Sequence, residues 1–195
     1  MVWKLKTWVK VLIWLVIAAV VGLIVWQGKG VYEKAMYPKK YSELVEKYAE
    51  QYGVDENFVY AVIKTESGFE PNARSENDAK GLMQITEDTF HWIGTKLDSE
   101  ISSQYTHDDM FQPEVNIMYG TFLLSYLEQE FGDDRVVLSA YHAGRGAANQ
   151  WLADENYSSD GKTLDEIPYS DTNHYVNKVM KNYERYNRIY GATSK

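Results

Sequence analysis

An unbroken apolar run from Val11 to Trp26, 16 residues without a charge, constrains this chain more than any other feature. It has no polar face, so it does not suit the surface of a soluble domain. Counted from Trp8, with Lys10 snorkelling, the run reaches 19 residues, against the roughly 20 that cross a bilayer as one helix. It predicts a single N-terminal transmembrane helix within residues 1–27, with Trp8 and Trp26 at the two interfaces. A cleaved signal peptide is the competing reading, because Lys4, Lys6 and Lys10 supply a basic start. However, Gln27-Gly28-Lys29 stands where a small-x-small cleavage site belongs, which favours an uncleaved anchor. Lys29, Lys34, Lys39 and Lys40 follow the span, so the positive-inside count is nearly even. The three lysines before it lean toward a cytoplasmic N-terminus.

Charge divides the chain at the same place. Residues 1–40 hold 7 Lys and 1 Glu, whereas the remainder holds 13 basic and 27 acidic residues, a balance of −14. An acidic domain without a basic stripe argues against a nucleic-acid partner. The absence of Cys excludes disulfides, thiol catalysis and a lipid-bearing cysteine. Residues 28–40 are expected to form a stalk, loosened by Gly28 and Gly30 and ended by Pro38. Residues 41–195 are long enough for one domain with a real core.

That domain is expected to be mostly helical. Leu44, Val45, Tyr48 and Tyr52 mark one amphipathic helix over 42–52, stopped by Gly53. A second runs from Asp55, its N-cap, to Ser67, with Gly68 beyond. Residues 68–85 show neither helical nor alternating period and are expected to be a structured loop with a short two-strand element. Thr86 caps a helix to Ile93. Pro113 to Phe131 carries the strongest helical pattern, with Pro in its first turn and Gly132 past its end. Further helices are expected over 134–142, 147–152 and 173–190, with 156–168 a loop.

One carboxylate stands out. Reading back from Glu66, the residues at helical spacing are Ile63, Val62 and Val59, all apolar and expected in the core. A Glu at a helix end is ordinarily solvated. Here it continues a buried stripe in the last turn, where desolvation and the negative end of the helix dipole both raise its pKa. A carboxyl so placed is a general acid near neutral pH. Asp78, Asp108, Asp109 and Asp171 all lie in polar stretches and offer no equally convincing second carboxylate. His91, His107, His142 and His174 show no metal-ligand spacing.

The segments Glu66-Ser67-Gly68-Phe69, Pro71-Asn72-Ala73 with Ser75, Gly81-Leu82-Met83-Gln84-Ile85 with Thr89, Asn116 with Gly120, Ala140-Tyr141-His142-Ala143-Gly144, and Ile167-Pro168-Tyr169 before Tyr175-Val176 occur in this order. In these segments, covering roughly residues 41–195, the chain resembles the SLT-type lytic transglycosylases, relatives of goose-type lysozyme. It departs from their pattern in having His142 for Asn, Glu87 for Pro, and Asp171-Thr172-Asn173 for Glu-Thr-Arg.

The resemblance implies a lysozyme-like helical domain with a catalytic cleft, acting on peptidoglycan at the β-1,4 bond between N-acetylmuramic acid and N-acetylglucosamine. It assigns Glu66 as the sole acid and base, with the C6 hydroxyl of the muramic acid closing a 1,6-anhydro ring. No metal or other cofactor is needed. Ser75, Gln84 and Tyr141 match residues of the cleft, with Tyr141 expected to hydrogen-bond Glu66. Gly81 is expected to let backbone approach the sugar, and His142 and Asp171 to complete the substrate site. The implied setting is the extracytoplasmic face of the membrane, beside the wall and in reach of wall or secretion machinery. A goose-lysozyme-like hydrolase and a weakly active glycan-binding module are the competing readings.

Overall fold

The computed structural model describes residues 6–97 and 99–192. They form two units that divide after Pro38. The first is helix α1, Thr7–Met36, whose most apolar stretch has a mean hydropathy of 2.6 and no buried residues. At about 1.5 Å per residue, its 30 residues make a helix roughly 45 Å long, beyond the roughly 30 Å of a bilayer's hydrocarbon layer. The helix runs through Gly28 and Gly30, further than the sequence suggested. Each glycine costs a helix only about 1 kcal/mol, too little to end one already propagating, and Pro38 comes after the helix has closed. Lys4 and the side chain of Trp26, which carried part of the topology argument, lie outside the described residues.

The second unit is mostly helical. Its helices are α2 (Ser42–Tyr52), α3 (Glu56–Glu66), α4 (Glu87–Gly94), α5 (Ser99–Ser102), a 3₁₀ turn (His107–Phe111), α6 (Pro113–Phe131), α7 (Asp134–Ala143), α8 (Arg145–Leu152) and α9 (Ser170–Tyr190). The caps act as their residue types predict. Asp55 accepts from the backbone N–H groups of Asn57 and Phe58 at 2.7 and 3.2 Å, and Asp133 accepts from those of Arg135 and Val136 at 3.0 Å each. Helix α8 begins earlier than expected, because Gly144, with φ +92°, makes the turn alone and leaves Gly146 free to be helical. The two-strand element expected in 68–85 is not formed. Single antiparallel bridges join Arg74 to Lys80 and Lys80 to Ile85.

Helix α9 lies along α3 and α7, α6 lies against α2 and α7, and α2 touches α3, so the helices close around one core. Phe58, Val59, Val62 and Ile63 of α3 meet Val176, Val179 and Tyr186 of α9 in that core, all buried. Burial of each such side chain contributes about 1.5–3 kcal/mol. Tyr60 stacks on Tyr186 with ring centroids 5.5 Å apart, and Phe58 meets Tyr183 edge-on at 5.2 Å. This packing fixes the C-terminal end of α3, and therefore Glu66, against α9.

Candidate active site

Glu66 is the last residue of α3. Its carboxyl opens onto a cavity of about 370 Å³ whose walls include Ser75, Gln84, Thr89, Tyr141 and His142. Burial raises its pKa from 4.5 to about 7, opposed by a hydrogen bond from Tyr175 and by the positive charge of Lys178. The Tyr175 hydroxyl donates to Glu66 Oε1 at 2.7 Å. Lys178 reaches the carbonyl of Thr65 at 3.4 Å, at the negative end of α3. Among the described residues, Glu66 is the only carboxylate lining this cavity.

The turn from Gly81 to Ile85 brings Gln84 and Ile85 to the cavity wall, and three side chains hold it. Ser67 Oγ donates to the carbonyl of Leu82 at 2.8 Å, which ties the turn to the end of α3. The hydroxyl of Tyr141, from α7, donates to the carbonyl of Met83 at 2.7 Å. Asn116, fully buried on α6, accepts from the N–H of Met83 at 2.7 Å and donates to the carbonyls of Lys80 and Met110 at 2.8 Å each. Gly120, one helical turn further along α6, makes room for the Met83 side chain, into which any Cβ would intrude. The motif pair Asn116 and Gly120 thus seats the turn on the core, a role the sequence alone does not disclose.

Several site expectations are revised by this geometry. Tyr141 does not hydrogen-bond Glu66; its hydroxyl is committed to Met83, and Tyr175 fills that role instead. Gly81 is buried with φ +78°, and a side chain there would collide with the Met110 carbonyl and Asn116. Its requirement for glycine comes from packing, and it is not among the residues lining the cavity. Asp171 is exposed in the first turn of α9 and is also absent from the cavity wall. Gln84 lines the cavity, but its amide nitrogen donates to the carbonyls of Ala73 and Gly81 at 3.2 and 2.8 Å. With both amide hydrogens used, Oε1 is what remains for a ligand.

Ser75 lies on the cavity rim, and its Oγ accepts from the N–H of Ala79 at 3.0 Å. His142 lines the cavity with its Nδ1 3.1 Å from the hydroxyl of Thr172, and its ring packs over Tyr175 with centroids 4.5 Å apart. Burial pushes its pKa below the usual imidazole range, against the charge of Asp171. Of the other acidic candidates, Asp78 pairs with Arg74, Asp108 pairs with Lys80, and Asp109 accepts from Thr106 and Gln112. Among the described residues, no three His, Asp or Glu side chains gather as metal ligands. A second cavity of about 290 Å³ shares Thr89, Leu123, Tyr141 and Gly144 with the first and extends the cleft toward Asp88, Trp92 and Arg145.

Residues 43–164 match the transglycosylase SLT domain. The chain is 32% identical over 157 residues to the soluble lytic murein transglycosylase of Escherichia coli, covering 79% of this chain and 24% of that protein. It is 33% identical over 170 residues to the membrane-bound lytic murein transglycosylase C of Yersinia pestis, covering 75% of this chain and 47% of the relative. The chain therefore spans between a quarter and a half of these relatives' lengths. The fold superposes on the crystal structure of the 70 kDa soluble lytic transglycosylase of Escherichia coli with a TM-score of 0.72 and 27% identity, over 82% of this chain and 26% of that one.

Proposed function

The chain belongs to the transglycosylase SLT family, and on that footing we propose that it is a lytic transglycosylase of peptidoglycan. The observation that carries the proposal is Glu66, the one carboxylate among the described residues of its cavity, with a pKa raised by burial to about 7; Asp88, in the adjoining cavity, is exposed. A glycosidase that activates water needs a second carboxyl group about 5–9.5 Å from the first. A site with one carboxylate suits a reaction in which the substrate supplies its own nucleophile. Glu66, protonated, donates its proton to the glycosidic oxygen as the bond from C1 of N-acetylmuramic acid to N-acetylglucosamine breaks. The C6 hydroxyl of the same muramic acid then attacks C1, and its proton returns to the Glu66 carboxylate. The products are a 1,6-anhydromuramic end and a free N-acetylglucosamine hydroxyl, with the enzyme restored.

Ser75, the Oε1 of Gln84, Tyr141 and His142 bound the space in which the glycan is held. Residues 1–27 anchor the protein in the membrane, 28–40 lead away from it, and 41–195 form the catalytic domain on the wall side. Mass spectrometry of peptidoglycan digested by the wild type and by Glu66→Gln tests the assignment. Anhydromuropeptides from the wild type alone are expected. Reducing-end products, one water heavier, would make the protein a hydrolase. The absence of cleavage by the wild type would make it a glycan-binding module.

A further inference from the structure

His142 stands where the family pattern has Asn, and its surroundings give it a task. It is at the end of α7, and its Nδ1 reaches the hydroxyl of Thr172, a buried residue in the first turn of α9. Tyr175 follows Thr172 by three residues on α9, so the two side chains are neighbours on one helix face. The imidazole lies over the Tyr175 ring at 4.5 Å and 30°, and the far end of that ring donates to Glu66 Oε1. An Asn at this position can bond a threonine hydroxyl, but it has no ring to cover the phenol.

We propose, building on the role assigned to Glu66 above, that His142 is a positioning residue: its ring, tethered to Thr172, holds the Tyr175 phenol in register with the Glu66 carboxyl and so sets how readily Glu66 gives up its proton. The Tyr175 hydrogen bond favours the ionised carboxylate and opposes the burial that disfavours it. A phenol free to swing away would leave burial unopposed. The other charges facing this group are Lys178, on the Glu66 side, and Asp171, beside the imidazole. Partial burial disfavours the charged form of His142, and what its ring gives to Tyr175 is a packing contact.

The test is direct titration of Glu66 by carbon NMR in the full chain, labelled at glutamate carboxyls and held in detergent micelles. The Glu66 signal is identified by its loss in Glu66→Gln. Tyr175→Phe sets the scale, and its Glu66 pKa is expected to rise by about 1 as the hydrogen bond is lost. His142→Asn, which keeps a polar group but no ring, is expected to give at least about half that rise, and His142→Gln repeats the measurement should the first variant not fold. His142→Phe, which keeps a ring and lacks the tether, is expected to stay closer to wild type than either. A wild-type titration in both His142→Asn and His142→Gln, or no rise in Tyr175→Phe, would overturn the proposal. No substrate is present, so this outcome is independent of which products the digestion experiment finds.

Discussion

Replacing Glu66 by Gln removes a proton equilibrium that the fold itself distorts, so stability as a function of pH reports directly on the site. An unfolded carboxyl ionises near 4.5, whereas burial holds that of Glu66 to about 7 in the folded chain. Below pH 4.5 both states are protonated, and the folded state keeps its full advantage. As pH rises, the unfolded state ionises first and is favoured, and the advantage is gone once the folded carboxyl also ionises, above about 7. At 1.36 kcal/mol per pH unit, that interval corresponds to a loss of about 3 kcal/mol, an upper figure because the cavity admits water on one side. Gln carries no proton to lose. The stability of Glu66→Gln relative to wild type is therefore expected to rise by about 2–3 kcal/mol between pH 4.5 and 8. Urea unfolding of both proteins, followed by tryptophan fluorescence in one detergent at several pH values, measures the difference. All other titrating groups cancel between the two. A difference that stays flat across this range would mean that Glu66 is solvated in the folded state, and the acid role would lose its physical basis.

Two further perturbations address the turn that brings Gln84 and Ile85 to the cavity wall. Asn116→Leu strands the N–H of Met83 and the carbonyl of Met110, and takes one of two bonds from the Lys80 carbonyl, which keeps the N–H of Ile85 at 3.1 Å. At about 1 kcal/mol or more for each of the two unmet groups, a loss of roughly 2 kcal/mol is expected in urea unfolding, with activity on peptidoglycan falling alongside. Gly120→Ala drives a methyl into the Met83 side chain. A cost of about 1–3 kcal/mol is expected despite alanine's better helix propensity, and Met83→Ala in the same chain should recover part of it; additive losses would show that the two sites do not touch.

The helices were legible where their signals are local. The α3 cap at Asp55, the α6 limits at Pro113 and Gly132, and the stop at Gly53 rest on side chains acting within one turn of themselves. Residues 95–112 carry no apolar period, and the short α5 and the 3₁₀ turn there had no signal to read. Glu66 was legible because the stripe of Val59, Val62 and Ile63 leads to it. Gly81 was seen as special, but for the wrong neighbour, since what crowds it is Asn116, 35 positions away.

By itself, the sequence determined that an apolar helix precedes an acidic helical domain, and that one carboxylate ends an otherwise buried stripe. These depend on periodicity and capping, which act over three or four residues. Only the tertiary structure decided which groups meet that carboxylate. Tyr141 and Tyr175 both approach it from later helices, and which hydroxyl bonds Glu66 and which bonds Met83 depends on how α7 and α9 cross α3. A hydrogen bond is satisfied or lost within a few tenths of an ångström. Helix crossings of that accuracy come from the packing of the whole core, which no local pattern encodes.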